Sequence, residues 1–396
     1  MKMAEKLVDL AIASSAYVHI PFCRRRCFYC DFPISVVGDR LRGETSLSIS
    51  HYVDVLLEEI AKTQAFGQPL KTIFFGGGTP SLLSISQLQR ILSALKQRFG
   101  VSPSAEISME MDPGTFEKEH LKGYRHLGVN RVSLGVQVFD DELLRVAGRS
   151  HSLADITASV DLIRLVGIPE FSIDLISGLP HQTLDRWQNS LEKALWIEPT
   201  HISIYDLTIE PGTAFGRFFK PGDQPLPTDE TTVEMYRLAR QTLTQAGYEH
   251  YEISNYAQPG HQCRHNRVYW ENRPYYGFGM GAASYVEGKR FNRPRKTKEY
   301  YAWVETGGVI DCDVTPREEV LLDTLMLGLR LAEGVDLDAL ANKFGEEKVK
   351  EIYKCLQPYF KSCWVEVVGG RLKLSDPDGF LFSNVVLAKL FEKLGE

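Results

Sequence analysis

The sequence predicts an α/β protein, in which a parallel sheet of roughly six strand–helix units precedes a small, mostly helical C-terminal module. The first observation is that short β-branched and aromatic runs alternate with amphipathic segments through residues 1–210. The second is that repeated units of this kind form parallel sheets with right-handed crossovers. The third is that helical patterns followed by two short strand patterns occupy the end of the sequence, which is typical of a winged-helix-like module.

The strands are predicted from short apolar runs that are bounded by polar residues or glycine. These runs are residues 17–20, 72–75, 106–111, 131–137, 171–176 and 201–207. Helices are predicted between them where apolar residues recur with helical spacing, at 52–65, 86–98 and about 154–166. The alternation leaves two architectures open, a βα barrel and an open doubly wound sheet.

The pattern changes after the last predicted strand. A loop rich in proline, glycine and phenylalanine is expected at 211–227, followed by a helix at 231–246 and a dense aromatic stretch at 248–285. A boundary near 311–315 precedes the winged-helix-like module, whose two short strands flank Gly369 and Gly370. We therefore divide the chain into a barrel, an aromatic-rich extension and a C-terminal domain, at residues 1–210, 211–312 and 313–396.

The composition is typical of a globular protein. The chain has 396 residues, of which 43% are hydrophobic and 24% charged, and a formal net charge of -6. No basic stripe is present, so no nucleic-acid partner is expected. Glu5 and Asp9 interrupt the small apolar patch in residues 1–16, so we expect no secretory signal, and no apolar run is long enough to span a bilayer. Three of the seven cysteines lie within residues 23–30, which favours metal or redox chemistry in a reducing compartment, the cytoplasm.

Those three residues, Cys23, Cys27 and Cys30, have the spacing CxxxCxxC. Cysteine thiolates are the usual ligands of iron–sulfur clusters. Three thiolates on one loop can hold three irons of a cubane and leave the fourth iron open to a ligand. A zinc site would need a fourth cysteine or histidine close by, and a redox disulfide would leave one cysteine without a role. The aromatic residues that we expect to shield a cluster here are Phe22, Phe28, Tyr29 and Phe32.

Polar or glycine residues follow or end several of the predicted strands. They are residues 76–78, Glu110, Gln137 and Asp174. A βα barrel builds its site from side chains at the C-terminal ends of its strands. The same positions would suit a crevice in an open sheet, so they predict a site without deciding between the two architectures.

Residues 17–32, which read YVHIPFCRRRCFYCDF, resemble the cluster loop of radical S-adenosylmethionine (SAM) proteins. The resemblance extends over nearly the whole chain to the oxygen-independent coproporphyrinogen III dehydrogenase family and its HemW-type haem-chaperone relatives. It implies a partial (βα)6 radical SAM barrel that binds a [4Fe–4S] cluster and SAM. In this family one electron from the reduced cluster cleaves SAM to methionine and a 5′-deoxyadenosyl radical, so no side chain is predicted to be catalytic.

The resemblance also implies which residues contact SAM. Residues 75–80, FGGGTP, are similar to the family's glycine motif, whose backbone can approach a ligand closely and bind it through N–H groups. Carboxylates can accept from the ribose hydroxyls, and Arg149 can pair with the SAM carboxylate, although a surface salt bridge is the alternative for this arginine. The implied SAM-binding residues are Tyr17, Gly77, Gly78, Thr79, Glu110, Gln137, Arg149 and Asp174.

The sequence departs from the dehydrogenases at two points. They carry a further cysteine where this chain has Phe32, and they have a longer N-terminal extension than the sixteen residues that precede Tyr17. Residues 263–270, CRHNRVYW, instead resemble the HNxxYW motif of HemW-type haem chaperones. His265 is thereby a candidate ligand of haem iron and Cys263 a second one, while a hydrogen-bonded structural histidine is the alternative.

The predicted function is therefore a haem chaperone that binds haem and delivers it to haemoproteins. The alternatives are an oxygen-independent coproporphyrinogen III dehydrogenase and a radical SAM enzyme with an unrelated substrate, and whether SAM is turned over stays open. Arg24, Arg25 and Arg26 are candidates to face a second copy in a homodimer, or an electron donor such as flavodoxin or ferredoxin. Residues 38–50 are expected to form a flexible insertion.

Overall fold

The computed structural model describes residues 12–39 and 42–395. Most of the N-terminal segment that we predict not to be a secretory signal, residues 1–11, lies outside the described residues, as do residues 40–41 of the predicted insertion. Within the described part of the chain, no helix is both long and apolar enough to cross a membrane.

Strands occur from the start of the described chain to the C-terminal module. They are β1 Ser15–Ile20, β2 Phe22–Cys23, β3 Ser35–Val36, β4 Leu70–Gly77, β5 Val101–Met111, β6 Arg131–Gln137, β7 Glu170–Ser177, β8 His201–Asp206, β9 Glu249–Glu252, β10 Asn255–Ala257, β11 Tyr276–Phe278, β12 Ala283–Val286, β13 Lys289–Asn292, β14 Val335–Asp336, β15 Val365–Val368 and β16 Arg371–Leu374.

Helices connect these strands, and a 3₁₀ turn spans Pro80–Leu82. The helices are α1 Leu47–Lys62, α2 Ile85–Phe99, α3 Lys118–His126, α4 Asp141–Val146, α5 Leu153–Val166, α6 Leu184–Trp196, α7 Ala214–Phe218, α8 Asp229–Gln245, α9 Arg264–Trp270, α10 Thr297–Glu305, α11 Arg317–Gly328, α12 Leu337–Phe344, α13 Glu346–Lys361, α14 Asp378–Leu381 and α15 Ser383–Leu394. The side chain of Ser84 begins α2 and that of Ser152 begins α5, each within a capping box.

The strand order decides between the two predicted architectures. In the described residues the main sheet has nine strands in the order β11-β1-β4-β5-β6-β7-β8-β10-β9. The strands from β1 to β8 in this order are parallel neighbours that follow the chain. A doubly wound sheet would reverse its order at a switch point, so these six strands form the predicted (βα)6 barrel. The sheet ends at β11 and β9 rather than closing, so the barrel is partial.

Both edges of the sheet come from the segment predicted as an aromatic-rich extension. Strand β11 pairs parallel with β1 on one edge, while β10 and β9 add antiparallel strands next to β8 on the other. Part of the predicted insertion at 38–50 is helical, because Ser46 caps α1 and residues 47–50 form its first turn.

The two faces of the barrel strands differ in chemistry. Ile73 and Phe75 of β4 are fully buried in the main hydrophobic core, and their register partners in β1 and β5 belong to the same core. The alternate residues point to the other face, where polar side chains bond across the barrel interior. Ser133 of β6 bonds Asp174 of β7. The barrel interior therefore carries polar side chains, and the main apolar core lies between the sheet and the helices.

The C-terminal module has its own hydrophobic core, which is built from α11 to α15 with β14, β15 and β16. Helix, strand, two helices and a two-stranded wing follow one another in the order of a winged helix, as predicted. Tyr236 of α8 joins this second core. Asp376 lies within 3.2 Å of Arg240 and 3.1 Å of His250, so the module packs directly on the barrel side of the molecule.

Candidate cofactor site

The cysteine loop lies at the C-terminal end of β1. Cys23 ends β2, which pairs with β3 beyond the loop. The amide of Cys30 donates to the carbonyl of Cys27 at 3.2 Å, and the amide of Phe28 donates to the carbonyl of Ala147 at 3.1 Å. The loop is thus folded on itself and attached to the residue that follows α4.

The three thiols fit an iron–sulfur cluster. All three cysteines are free and partly exposed. Burial raises the pKa of Cys23 to about 12, with the nearby charge of Asp112 adding to it, and burial also raises the pKa of Cys30. A positively charged metal centre would offset this cost of forming thiolates. Among the described residues, no group of three or more cysteine, histidine or acidic side chains is arranged around a single metal ion. In a cubane cluster each thiolate would bind its own iron.

The predicted aromatic shield is only partly formed. Phe22 is buried, and Tyr29 packs against the main core. Phe28 and Phe32 are 40% and 58% exposed, so one side of the cysteine loop presents apolar rings to solvent.

Two of the three arginines on the loop contact nearby parts of the chain. Arg24 donates to the carbonyl of Gly114 at 3.0 Å. Arg25 pairs with Asp39 at 2.6 Å, and both side chains are exposed. Each guanidinium therefore has an acceptor within the chain.

Arg26 organises the loop itself. Its guanidinium donates to the carbonyl oxygens of Cys30 at 3.1 Å, Phe32 at 3.3 Å and Ile34 at 3.3 Å. Three carbonyls of one short segment thus face one side chain. The sequence shows three consecutive arginines here, but it does not show that backbone carbonyl groups of the loop point toward Arg26.

The glycine motif begins where β4 ends, and it requires glycine for steric reasons. Gly77 has a φ of 109°, and a Cβ there would overlap the ring of His19. A Cβ on Gly78 would lie 2.8 Å from the carbonyl oxygen of Ile20. The amides of this motif are already used, because Gly77 donates to Glu110 at 2.9 Å and Gly78 donates to Ile20 at 2.9 Å. In this conformation both amides therefore donate to other groups of the chain, and the contact of this motif with SAM stays a prediction.

Asp112 connects the glycine motif to the cysteine loop, and sequence reasoning missed it. Its carboxylate accepts from the hydroxyl of Thr79 at 3.0 Å and from Arg149 at 2.5 Å. Arg149 in turn donates to the sulfur of Cys27 at 3.2 Å. The surface salt bridge considered for Arg149 is excluded, since its side chain is only 7% exposed.

Two further predicted residues provide carboxyl groups to the same region. Burial raises the pKa of Glu110 to about 8, and the charges of Asp174 and Asp112 add to this effect. Burial also raises the pKa of Asp174, whose carboxylate accepts from the hydroxyl of Ser133 at 2.9 and 2.7 Å. Both carboxyls are thus held as hydrogen-bonding groups inside the barrel.

The last two predicted SAM-binding residues have distinctive surroundings. The hydroxyl of Tyr17 lies 3.0 Å from Nδ1 of His19, and its ring stacks on Phe74 with a centroid distance of 6.2 Å. Gln137 has a φ of 69° at an irregularity in the β6–β7 pairing. A positive φ in a non-glycine residue is uncommon, and strained backbone of this kind clusters at functional sites.

The structure places the HNxxYW segment at the opposite end of the barrel. His265 lies in the first turn of α9 and bonds Thr72 near the start of β4, whereas the glycine motif lies at the other end of that strand. His265 has no exposed surface, and both of its ring nitrogens are hydrogen-bonded, at 2.7 Å to Thr72 and 2.8 Å to Tyr269. Cys263 is only 2% exposed. Neither residue offers a free ligand atom to haem iron in this conformation.

The comparisons with known proteins agree with this geometry. Residues 17–194 match the model of the Radical SAM superfamily, and residues 315–381 match that of the HemN C-terminal domain. A heme chaperone HemW of Synechocystis sp. is 47% identical over 97% of this chain and 97% of its own. The chain belongs to the HemW family. A HemW of Bacillus subtilis is 38% identical over 84% of this chain and 87% of its own.

The fold of this chain is similar to that of a solved radical SAM enzyme. The coproporphyrinogen III oxidase HemN from Escherichia coli superposes with a TM-score of 0.81 at 25% identity, over 96% of this chain and 90% of that one. The radical SAM domain of this HemW family member implies a [4Fe–4S] cluster and SAM as cofactors.

Proposed function

We propose that Cys23, Cys27 and Cys30 hold the [4Fe–4S] cluster, with SAM bound beside it at the C-terminal mouth of the barrel. When bound, the cluster would supply the electron that cleaves SAM. The proposed SAM contacts are Tyr17, Gly77, Gly78, Thr79, Glu110, Gln137, Arg149 and Asp174. The hydrogen bonds from Thr79 and Arg149 to Asp112 support this proposal, because they bring side chains from three elements together next to Cys27.

The chain's own residues would orient SAM and limit the access of water. Arg149 is a buried cation that can pair with the SAM carboxylate. Glu110 and Asp174 can accept from the ribose hydroxyls. The ring of Tyr17, stacked on Phe74, can form a wall of the pocket.

The proposed function of the whole protein is to bind haem and deliver it to haemoproteins. The observation that carries it is the 47% identity to a heme chaperone HemW over 97% of both chains. Phe32 supports it further, because the exposed ring stands where the dehydrogenases have their additional cysteine. We place the protein in the cytoplasm. Partners proposed with it are a second copy of the chain and an electron donor of the flavodoxin or ferredoxin type.

The second candidate is the oxygen-independent coproporphyrinogen III dehydrogenase reaction. The superposition on HemN favours it, since the likeness extends over 96% of this chain. In that case the protein would act without the additional cysteine at the position of Phe32.

One anaerobic experiment separates the two functions. Protein with a reconstituted cluster is titrated with haem and then mixed with an apo-haemoprotein, while the Soret band is followed. A parallel sample receives coproporphyrinogen III, SAM and a reductant. We expect stoichiometric haem binding, transfer to the apo-haemoprotein and no protoporphyrinogen. Formation of protoporphyrinogen without haem transfer would overturn the chaperone proposal in favour of the dehydrogenase.

A further inference from the structure

Helix α9 closes the N-terminal end of the barrel. The amides of Arg264 and His265, at its first turn, donate to the carboxylate of Glu106 at 3.0 and 2.9 Å. Glu106 belongs to β5 and is 5% exposed. The imidazole of His265 bonds Thr72 on the neighbouring strand β4. The helix is thus fastened to two adjacent strands inside the barrel, at the end opposite to the cysteine loop.

The surroundings of His265 fit a structural imidazole and do not fit an iron ligand. Burial lowers its pKa to about 3, so the ring is neutral at physiological pH and has one donor and one acceptor nitrogen. The hydroxyls of Thr72 and Tyr269 satisfy both nitrogens. Tyr269 also covers one edge of the ring, with a centroid distance of 5.1 Å. Iron could reach a nitrogen only after one of these buried bonds is broken and the helix is displaced.

A chain of packed groups leads from His265 to the proposed SAM site. The ring of His265 stacks on Phe74 with a centroid distance of 5.2 Å and an interplanar angle of 25°. Phe74 also stacks on Tyr17, with a centroid distance of 6.2 Å. It also lies so close to Gly76 that a Cβ there would be 2.9 Å from the Phe74 ring. A shift of the imidazole would therefore disturb Phe74, whose ring lies beside Tyr17 and the first glycine of the motif.

We propose that α9, the helix of the HNxxYW segment, has a structural role and closes the N-terminal end of the barrel. In this proposal His265 is a positioning residue for Phe74 and the glycine motif rather than a ligand of haem iron. The haem site then lies elsewhere on the protein. The positioning role does not require haem delivery to be correct, because it concerns the geometry of the SAM site.

The test uses variants of both partners in the His265–Thr72 bond. Thr72→Val keeps the shape of the side chain but removes the hydroxyl. Valine cannot bind iron, and the imidazole of His265 is retained, so this variant tests the hydrogen bond alone. Thr72→Ser restores the hydroxyl and serves as the matched control. His265→Gln removes the imidazole. Each reconstituted protein is measured anaerobically for SAM affinity by equilibrium dialysis, and for haem stoichiometry and the Soret maximum.

We expect Thr72→Val and His265→Gln to weaken SAM binding about three- to tenfold, with Thr72→Ser close to the wild type. Haem stoichiometry and the Soret maximum should be the same in all four proteins. A Soret band that is shifted or lost in His265→Gln, together with unchanged SAM affinity in Thr72→Val, would overturn the proposal and make His265 a ligand. If the wild type binds no haem, the proposed chaperone function fails, while the SAM affinities still decide the role of His265.

Discussion

Asp112 shows how a single carboxylate arranges several functional groups. It accepts from Thr79 of the glycine motif and from Arg149, which itself contacts Cys27. Arg149 is a buried cation, and Asp112 is the acidic partner that balances its charge. When SAM binds, its carboxylate can take over part of that role. Asp112 therefore holds the guanidinium in place before the ligand arrives.

We predict that Asp112→Asn lowers the free energy of unfolding in the absence of SAM by about 3 kcal/mol, because it leaves the Arg149 charge buried without a partner. Added SAM should raise the melting temperature of the variant more than that of the wild type, since its carboxylate restores a counter-charge. Asp39→Asn is the matched control, as the Asp39–Arg25 pair is exposed and should contribute little. Equal SAM-induced shifts in the variant and the wild type would contradict this role.

A second residue-scale prediction concerns Arg26. Replacement by methionine keeps a long side chain but removes the donors to the carbonyls of Cys30, Phe32 and Ile34. The loop should then hold the cluster less firmly, and we expect iron release to a chelator to become about fivefold faster. Arg25→Met, on the next side chain, should release iron at the wild-type rate. The same acceleration in both variants would mean that charge, rather than loop geometry, is responsible.

The limits of sequence reasoning are visible at Glu110 and Asp112. Both follow methionine near the end of the same strand, and the linear pattern does not distinguish their roles. The cluster cysteines are predicted from their spacing, and Asp174 from its position late in a predicted strand together with the family resemblance; their cofactor roles stay predictions. The partner of Asp112 could not be predicted, since Arg149 is 37 positions away and only the fold decides which carboxylate it meets.

At the scale of elements, the six barrel strands were predicted close to their observed positions because β-branched and apolar residues mark them. Strand β11 was not predicted. It has only three residues, Tyr276–Phe278, and contains glycine, so it carries no alternation that would distinguish it from the aromatic stretch around it. Its pairing with β1 is decided by contacts that only the folded barrel provides.

Glu59 of α1 holds this edge of the sheet in place. Its carboxylate accepts from the amide of Gly279 just after β11 at 2.8 Å, from the hydroxyl of Tyr300 of α10 at 2.7 Å and from Arg293 at 2.8 Å. The side chains of Glu59 and Arg293 are 3% and 2% exposed. One buried ion pair thus joins two helices and the edge strand.

We predict that Glu59→Gln lowers the free energy of unfolding by about 3–5 kcal/mol, because it leaves the charge of Arg293 buried without a partner. Denaturant unfolding measures this change. The neighbouring Glu58 pairs with Lys62 on the surface, so Glu58→Gln should change the stability by less than about 1 kcal/mol. A similar loss of unfolding free energy in the two variants would show that the buried ion pair stabilises the protein no more than the exposed one.

On the scale of the whole molecule, two hydrophobic cores are joined through α8. Tyr236 packs into the core of the C-terminal module, and Met235 beside it lies in the core of the barrel. Around them, Asp376 contacts Arg240 and the almost fully buried His250. The two parts therefore share a packed interface in addition to the connecting segment near residue 312.

We predict that Asp376→Ala lowers the free energy of unfolding by about 1–3 kcal/mol, because Arg240 loses its acceptor and the contact with His250 is removed at this interface. The C-terminal module should then become more accessible to limited proteolysis. Asp378→Ala is the control, since the Asp378–Arg237 pair is about half exposed on both sides and should contribute little. If both variants are cleaved at the same rate, Asp376 does not stabilise the packing of the C-terminal module on the rest of the protein.

The pairing of β1 with β11 also has a consequence for synthesis on the ribosome. Tyr17 and Gly277 are register partners although about 260 residues separate them, so one side of the first barrel strand has no neighbour until the chain has grown past β11. At ~5–20 residues per second, that interval lasts about 13–50 s. During this time the open side of β1 can pair with strands of other chains. Nascent chains should therefore become resistant to aggregation only once residues 276–278 have left the exit tunnel.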